Sequence, residues 1–260
     1  MIIRRAMLAF LILSVPAVAY GAITLALGQT LSDNVFLFGV LMGFLFALLH
    51  AGQRLGWKQA VGLCGLTFIV SLTFESVDVA TGLISVPYHY SQNLGPMFLN
   101  LVPLIIPVAW FMMIYPSFVI ADWLIPAGWE QWRRLLSVAA IGGLVMTAWD
   151  VLMDPVAVAQ GSWVWEVKGP YFGIPLQNFR GWWLTTFVIF ALYLLWTRRH
   201  EKTVPDPGFD RLAVVFYAVT ILGSLLYAVL GGMGGPALAG FFAVIPWVTM
   251  GWIAMNDRRR

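Results

Sequence analysis

The chain has 260 residues, of which 60% are apolar, 15% aromatic and only 10% charged. A soluble domain carries about 25% charged residues, so this composition, with a mean hydropathy of +0.83, excludes a water-soluble globule. The net charge of +3 does not indicate nucleic-acid binding, because the basic residues lie in pairs and triplets at the ends of apolar runs. The sequence therefore predicts a single integral membrane domain over residues 1–260.

Eight apolar runs approach the length of a membrane-spanning helix, which needs about 20 residues. They cover approximately residues 6–28, 35–51, 59–74, 98–121, 135–153, 181–197, 212–230 and 237–255. We expect the third helix to continue through Glu75 and Asp78, because nothing before Gly82 breaks it. The first run continues to Leu27, which favours a retained helix over a signal peptide cleaved after Ala19. The predicted fold class is an all-α polytopic membrane helical bundle with about eight transmembrane helices.

The basic residues predict the orientation of this bundle. Eight spans place both termini on one side of the membrane, and Lys168 and Arg180 fall on the other side. The basic residues on the side of the termini are Arg4, Arg5, Arg54, Lys58, Arg133, Arg134, Arg198, Arg199, Lys202, Arg211, Arg258, Arg259 and Arg260. Because basic residues concentrate in cytoplasmic segments, we expect a multi-pass cell-membrane protein with both termini in the cytoplasm.

Four acidic residues lie at the predicted outer ends of the third and fifth spans. Glu75 and Asp78 are three residues apart, and Asp150 and Asp154 are four apart, so each pair projects from one face of its helix. Charge within or beside a span is costly and by default marks function. Pro155 directly follows Asp154, which predicts that the fifth helix ends there.

Several interpretations of these carboxyls remain open. Protonated carboxyls would serve acid catalysis inside an apolar pocket, whereas helix-end acids wetted by headgroup water would have no function. A carboxylate magnesium site is also compatible, and the spacing of Asp150 and Asp154 is similar to that in membrane prenyltransferases. Those enzymes need several basic residues beside the acids, and this face offers two. A histidine-rich di-iron site is excluded, because His89 alone among His50, His89 and His200 lies near the acids.

The segment 161–183 is the most distinctive stretch, since it combines five tryptophan and tyrosine rings with several glycines and prolines. Trp and Tyr are enriched at any membrane interface, so an aromatic belt is one interpretation. The glycines and prolines indicate instead a defined loop, which we interpret as a lid over a site that opens toward the bilayer. Aromatic faces beside an acid would stabilise a carbocation by roughly 2 kcal/mol or more per desolvated ring.

In residues 74–183 the sequence resembles a membrane-embedded carotenoid biosynthesis family, which includes bacterial carotenoid 1,2-hydratases and archaeal bisanhydrobacterioruberin hydratases. The matching features are Phe74-Glu75, Tyr88-His89-Tyr90, Pro103, Pro107, Trp110, Trp149-Asp150, Asp154-Pro155, Trp163-Val164-Trp165, residues 169–175 and residues 178–182. The resemblance implies an enzyme without metal or other cofactor that adds water across the terminal C1,C2 double bond of an acyclic carotenoid end. The implied partners are a lipid-soluble carotenoid, such as lycopene or γ-carotene, water and membrane lipid, with no nucleic acid.

The expected site combines the acids with the aromatic loop residues. Asp150, Asp154 and Glu75 are expected to carry the chemistry as acid and base, with Asp78 and His89 as further catalytic candidates. The expected substrate-binding residues are Tyr88, Tyr90, Trp110, Trp149, Trp163, Trp165, Tyr171, Asn178 and Trp182. Two alternatives stay open: a non-catalytic carotenoid-binding or transport protein, and a carboxylate-metal enzyme acting on prenyl lipids.

Overall fold

The computed structural model of the chain describes residues 2–29, 33–199 and 206–257. In these ranges the helices are α1 (Ile2–Ala26), α2 (Asp33–Leu55), α3 (Trp57–Thr81), α4 (Ile105–Leu124), α5 (Gln131–Ala159), α6 (Leu176–Thr197), α7 (Pro207–Leu230) and α8 (Gly234–Asp257). All eight of these helices in the described ranges are long and apolar enough to cross a membrane. The predicted all-α polytopic bundle is therefore confirmed. His200, Lys202 and the arginines at 258–260 lie outside the described residues.

The centre of the bundle is α4, which packs against α2, α3, α5, α7 and α8. Of its most apolar stretch 83% is buried, the highest share among the described helices. A helix that is apolar on all sides suits a position at the centre of a bundle, because it has no polar face that needs water. Beside it, α5 and α6 approach closely, since a Cβ atom on Gly142 would lie 2.3 Å from the Phe190 ring. Small residues at such contacts let membrane helices pack without a hydrophobic driving force.

The predicted extension of α3 through Glu75 and Asp78 is confirmed, since α3 ends at Thr81. The predicted end of α5 at Pro155 is wrong, because the helix continues to Ala159. A proline inside a helix leaves the carbonyl four residues earlier without its donor, and here that carbonyl belongs to Val151. The Tyr171 hydroxyl donates a hydrogen bond of 2.9 Å to it. A donor from a distant loop thus replaces the missing N–H, as membrane helices with internal proline require.

The start of α4 also differs from the predicted span, which begins at residue 98. Residues before Ile105 form an antiparallel hairpin of β2 (Met97–Phe98) and β3 (Val102–Pro103). Leu99 and Asn100 both have positive φ, 50° and 56°, and Leu101 N donates to Phe98 O at 2.9 Å. Two consecutive residues with positive φ make the turn type that matches the twist of a hairpin.

A second pair of short strands joins the two long loops at the end of the bundle where α3 and α5 finish. Here β1 (Tyr88–Tyr90) pairs antiparallel with β4 (Trp163–Trp165), so that Tyr88 lies opposite Trp165 and Tyr90 opposite Trp163. We call this the loop end of the bundle. The pairing places β4, which belongs to the predicted lid, beside β1, whereas residues 176–183 of that predicted loop are part of α6.

At the opposite end a buried ionic cluster joins α2, α4, α5 and α7. Arg54 donates to Asp122 at 2.7 Å and to Asp210 at 2.8 Å, and Arg134 donates to Asp122 at 2.5 Å. Trp123 Nε1 donates to Asp210 at 2.7 Å. Arg54, which was used above to predict the orientation of the bundle in the membrane, is therefore also a buried residue that links helices. Its two acidic partners were not singled out by the sequence, because they lie 68 and 156 residues away.

Candidate functional site

Under the β1–β4 pair, a cavity of about 80 Å³ lies between α2, α3, α4, α5 and α6. Most of the residues predicted for the site reach it. Those that line it are Glu75, Asp78, Tyr88, Tyr90, Trp110, Trp149, Asp154, Trp163, Trp165, Asn178 and Trp182. Asp150 joins them through its hydrogen bond to Asn178, whereas Tyr171 and His89 lie outside the lining. The structure thus collects residues from four helices and two loops around one space.

Asn178 bridges the two aspartates of α5. Its Nδ2 donates a hydrogen bond of 2.8 Å to Asp150 and another of 2.8 Å to Asp154. Both aspartates are fully buried, and Trp163 Nε1 donates to the second oxygen of Asp154 at 2.7 Å. The second oxygen of Asp150, Oδ1, has no hydrogen-bond partner among the described residues. One amide group therefore holds two carboxyls together, and one carboxyl oxygen is left for another donor.

No cation offsets this aspartate pair within the described ranges, where the ion pairs of Asp and Glu involve Asp122, Asp210 and Glu166. Two ionised carboxylates this close repel each other strongly in an apolar surrounding, and burial penalises the charge of each. A shared proton relieves both costs, because it removes one negative charge and adds a donor. The arrangement is therefore chemically suited to hold a proton within the span.

Glu75 has a different environment, because three donors converge on its carboxylate. Tyr88 and Tyr90 both donate to Oε2, the latter at 2.8 Å, and Trp110 Nε1 donates to Oε1 at 3.1 Å. Such donors favour the ionised form of a carboxylate. The pKa of each tyrosine hydroxyl lies well above its usual range because of burial and of the negative charge of Glu75. Both hydroxyls therefore remain protonated and stay donors.

Side chains alternate in direction along β1, so its two tyrosines point to one side and its histidine to the other. Residues i and i+2 of a strand point to one side, so Tyr88 and Tyr90 reach Glu75 together. His89 points away, with its side chain 61% exposed and its Nδ1 3.7 Å from the Glu166 carboxylate. The structure does not bring His89 to Glu75 or to the aspartate pair.

Asp78 borders the cavity, but its oxygens are engaged by the loop that follows α3. Oδ1 accepts from the backbone N–H groups of Ile84 and Ser85 at 2.9 and 2.8 Å, and Oδ2 accepts from the Ser85 hydroxyl at 2.5 Å. These bonds hold the turn that leads from α3 to β1. The sequence did not single out Ser85, although a serine seven residues after a helix-end aspartate is a possible partner for it.

Aromatic rings form the walls of the cavity. Trp110 and Trp182 stack with centroids 4.4 Å apart, and Trp149 meets Trp182 edge-on at 5.7 Å. Across the mouth, Tyr88 packs against Trp165 at 4.7 Å. Ring faces attract positive charge through their quadrupoles, so these walls suit a cationic intermediate.

The Tyr171 hydroxyl donates to the Val151 carbonyl of α5, and its ring packs edge-on against Phe172 and Phe179. Burial raises the pKa of its hydroxyl to about 12. It remains a donor to α5 at physiological pH. This residue therefore supports the helix that carries the aspartate pair, rather than lining the cavity.

The described residues contain no group of three or more His, Cys, Asp or Glu side chains placed to hold a metal ion. Two carboxyls and an amide meet at the aspartate pair, while Glu75 is engaged separately by its three donors. The geometry is that of a hydrogen-bonded polar group in an apolar, aromatic pocket.

Comparison with known proteins adds two findings. The sequence profile of a family described as carotenoid biosynthesis protein matches residues 34–246. A curated relative, a bisanhydrobacterioruberin hydratase of Haloarcula japonica, is 33% identical over 155 residues, which is 59% of this chain and 47% of the relative. The matched part thus spans about half the length of that relative. No solved structure matches the chain significantly.

Proposed function

Because the chain belongs to the carotenoid biosynthesis protein family, we propose that it is a carotenoid hydratase. It adds water across the terminal C1,C2 double bond of an acyclic carotenoid end, as found in lycopene or γ-carotene, and gives a tertiary alcohol. The observation that carries this proposal is the buried Asp150–Asn178–Asp154 arrangement beside an aromatic, apolar cavity. The name of the 33% identical relative supports the same reaction type.

The first step is protonation of the alkene. The aspartate pair holds one proton, since burial and mutual repulsion disfavour two negative charges. That proton is transferred to C2, the π electrons of the double bond form the new C–H bond, and a tertiary cation remains at C1. The rings of Trp110 and Trp182 lie beside the cavity and stabilise the cation without competing as nucleophiles.

The second step is attack by water. A water oxygen forms the bond to C1 while one of its protons passes to the Glu75 carboxylate, whose Oε1 accepts only the Trp110 N–H among the described donors. The proton then returns from Glu75 to the aspartate pair, so the site is restored and one water has been added. Hydrogen bonds from Tyr88 and Tyr90 favour the ionised form of Glu75, which is the form that accepts this proton. General acid–base catalysis of this kind contributes typically about 10²- to 10⁴-fold in rate.

Expression in a host that accumulates lycopene or γ-carotene tests the proposal. Chromatography and mass spectrometry of the pigments should show products heavier by one water per hydrated end. The control is the same host without the protein. Unchanged pigments in a strain whose membranes contain the protein would contradict the hydratase proposal, and stoichiometric bound carotenoid without that mass change would favour the binding or transport alternative.

A chelator tests the alternative of a carboxylate-metal enzyme. The proposed chemistry needs only carboxyls, aromatic rings and water, so hydration in membranes should persist after incubation with excess EDTA. The measurement is the hydrated fraction of pigment with and without chelator. A loss that added magnesium or manganese restores would favour the metal enzyme.

A further inference from the structure

A second cavity of about 140 Å³ lies between α1, α2, α4, α5 and α7, beside the one already described. The two cavities share the walls formed by Phe36, Val40, Met112, Trp149 and Met153. The second cavity is the larger, and it contains none of the acids of the site. The second cavity therefore adjoins the space that Glu75 and Asp154 line, and the residues that the two cavities share are apolar or aromatic.

The hydroxyl groups in its wall do not make this cavity polar. Ser14 donates to Leu11 O at 2.6 Å, Thr220 to Phe216 O at 3.0 Å and Ser224 to Thr220 O at 3.3 Å. The Tyr227 hydroxyl lies 3.4 Å from two carbonyl oxygens of α1. Because each of these donors is engaged with helix backbone, the wall presents mainly carbon atoms to the space. An apolar cavity of this kind takes an apolar occupant.

We propose that this second cavity receives the polyene chain of the substrate, so that the chain continues past Trp149 and Met153 while its terminal double bond reaches the aspartates. The proposal rests on the proposed function, since it assigns a place to the part of the carotenoid that does not react. The chemical class of the ligand is a long, methyl-branched conjugated hydrocarbon. Two observations commit the cavity to this occupant: it shares five wall residues with the cavity that the acids line, and the serine, threonine and tyrosine hydroxyls of its wall are bonded to helix backbone.

Binding in this position would select for chain length as well as for the end group. Transfer from lipid to an apolar cavity gains little hydrophobic free energy, so affinity must come from dispersion contacts along the chain. Contacts remote from the reacting bond can also position that bond. The second cavity thus acts as the positioning part of the site.

Gly39 on α2 offers a way to fill this cavity. It lines the space, and a Cβ atom built there would meet no atom within 4 Å. A larger side chain therefore extends into the cavity without a clash at its base. Gly65 on α3 provides the matched control, since it is also a helical glycine with nothing within 4 Å, but it lines neither cavity.

The experiment measures bound polyene in a protein that cannot hydrate it. Asp150→Asn, which removes the acidic proton, forms the background, and Gly39→Ala, Gly39→Leu, Gly39→Phe and Gly65→Phe are added singly. Each protein is purified in detergent from a lycopene-producing host, its size-exclusion profile is checked, and pigment per protein is read from absorbance. We expect bound polyene to fall with side-chain size at Gly39, by about fivefold or more for Phe, through the lost dispersion contacts. Gly65→Phe should retain it.

The possible outcomes separate this proposal from the hydratase proposal. Equal pigment in the background, Gly39→Phe and Gly65→Phe proteins would overturn the assignment of the second cavity, and so would a background protein that carries no pigment. An equal loss at Gly39 and Gly65 would overturn it as well. Hydration by the wild-type protein is measured independently, and only its failure counts against the hydratase.

Discussion

The hydrogen bonding of Asp150 and Asp154 depends on a partner on another helix. Their spacing along α5 puts them on one face, and Asn178 of α6 then ties both to a single amide group. Glu75 differs from them, because its carboxylate accepts three hydrogen bonds, whereas Asp150 has one oxygen without a partner among the described residues. The acid and the base proposed for this site thus have different hydrogen-bonding surroundings.

The first prediction concerns replacing the three acids of the site by amides. Asp150→Asn or Asp154→Asn should lower the rate of hydration by about two or more orders of magnitude, because an amide cannot donate an acidic proton. Glu75→Gln should cause a loss of the same order, since it removes the base. Membrane insertion should be unimpaired, because each change removes an insertion penalty. The measurement is product formed per amount of protein in membranes.

The control for these variants is Asp257→Asn, an exposed aspartate at the end of α8. It should hydrate at the wild-type rate. If the three amide variants at the site also keep close to that rate, the acids are structural and the catalytic assignment is wrong.

Among the elements, the loop between β4 and α6 depends on one close backbone contact. Gly169 N donates to Gly173 O at 2.9 Å, and a Cβ atom at Gly169 would lie 2.0 Å from the carbonyl oxygen of Ile174. That neighbour is backbone and cannot rotate away. Only glycine fits the tight fold that carries Tyr171 to its carbonyl on α5.

We therefore predict that Gly169→Ala destabilises the protein by about 1–3 kcal/mol, the usual cost of forcing extra atoms into a packed region. The melting temperature in detergent should fall, and hydration should fall with it because Tyr171 supports α5. Gly128→Ala is the control, since a Cβ atom there meets nothing within 4 Å. Equal melting temperatures for the two variants would contradict this role of Gly169.

The ionic cluster at the opposite end links four helices, and its stability depends on Arg54. Arg54→Leu would leave Asp210 without its arginine partner in a fully buried position. Removing one partner of a buried ion pair costs about 3–5 kcal/mol, so the melting temperature in detergent should fall by more than that of Gly169→Ala. Arg133→Leu, at an exposed arginine of α5, should leave it nearly unchanged. A stable Arg54→Leu protein would show that helix packing alone holds this end together.

For the whole molecule, the orientation in the membrane depends on where the basic residues lie. The described basic residues Arg54 and Arg134 lie at the end opposite the loop end, which agrees with the alternation of eight spans. Cytoplasmic termini stay a prediction from the distribution of basic residues. Reporter fusions at Lys202 and at Ser162 should report the cytoplasm and the outside respectively. The same side for both would overturn the orientation and the placement of the loop end at the outer surface.

The sequence was sufficient for the helical bundle because a span is defined locally. About 20 apolar residues in a row satisfy their backbone only as a helix in lipid, whatever their neighbours are. For the same reason the extension of α3 to Thr81 could be predicted from the lack of helix breakers before Gly82. The aspartate pair on α5 could also be predicted, since spacing along one helix fixes which side chains share a face.

The remaining features depend on contacts between residues far apart in the chain, so local patterns gave the wrong answer or none. Pro155 would end α5, but the Tyr171 hydroxyl supplies the donor that its ring removes. His89 and the flanking tyrosines were grouped together, yet strand pairing with β4 turns the histidine outward. The bridge from Asn178 to the aspartates and the partners of Arg54 likewise follow from helix packing. Hydrogen bonds and ion pairs of this kind form only where the folded chain brings donor and acceptor within about 3 Å.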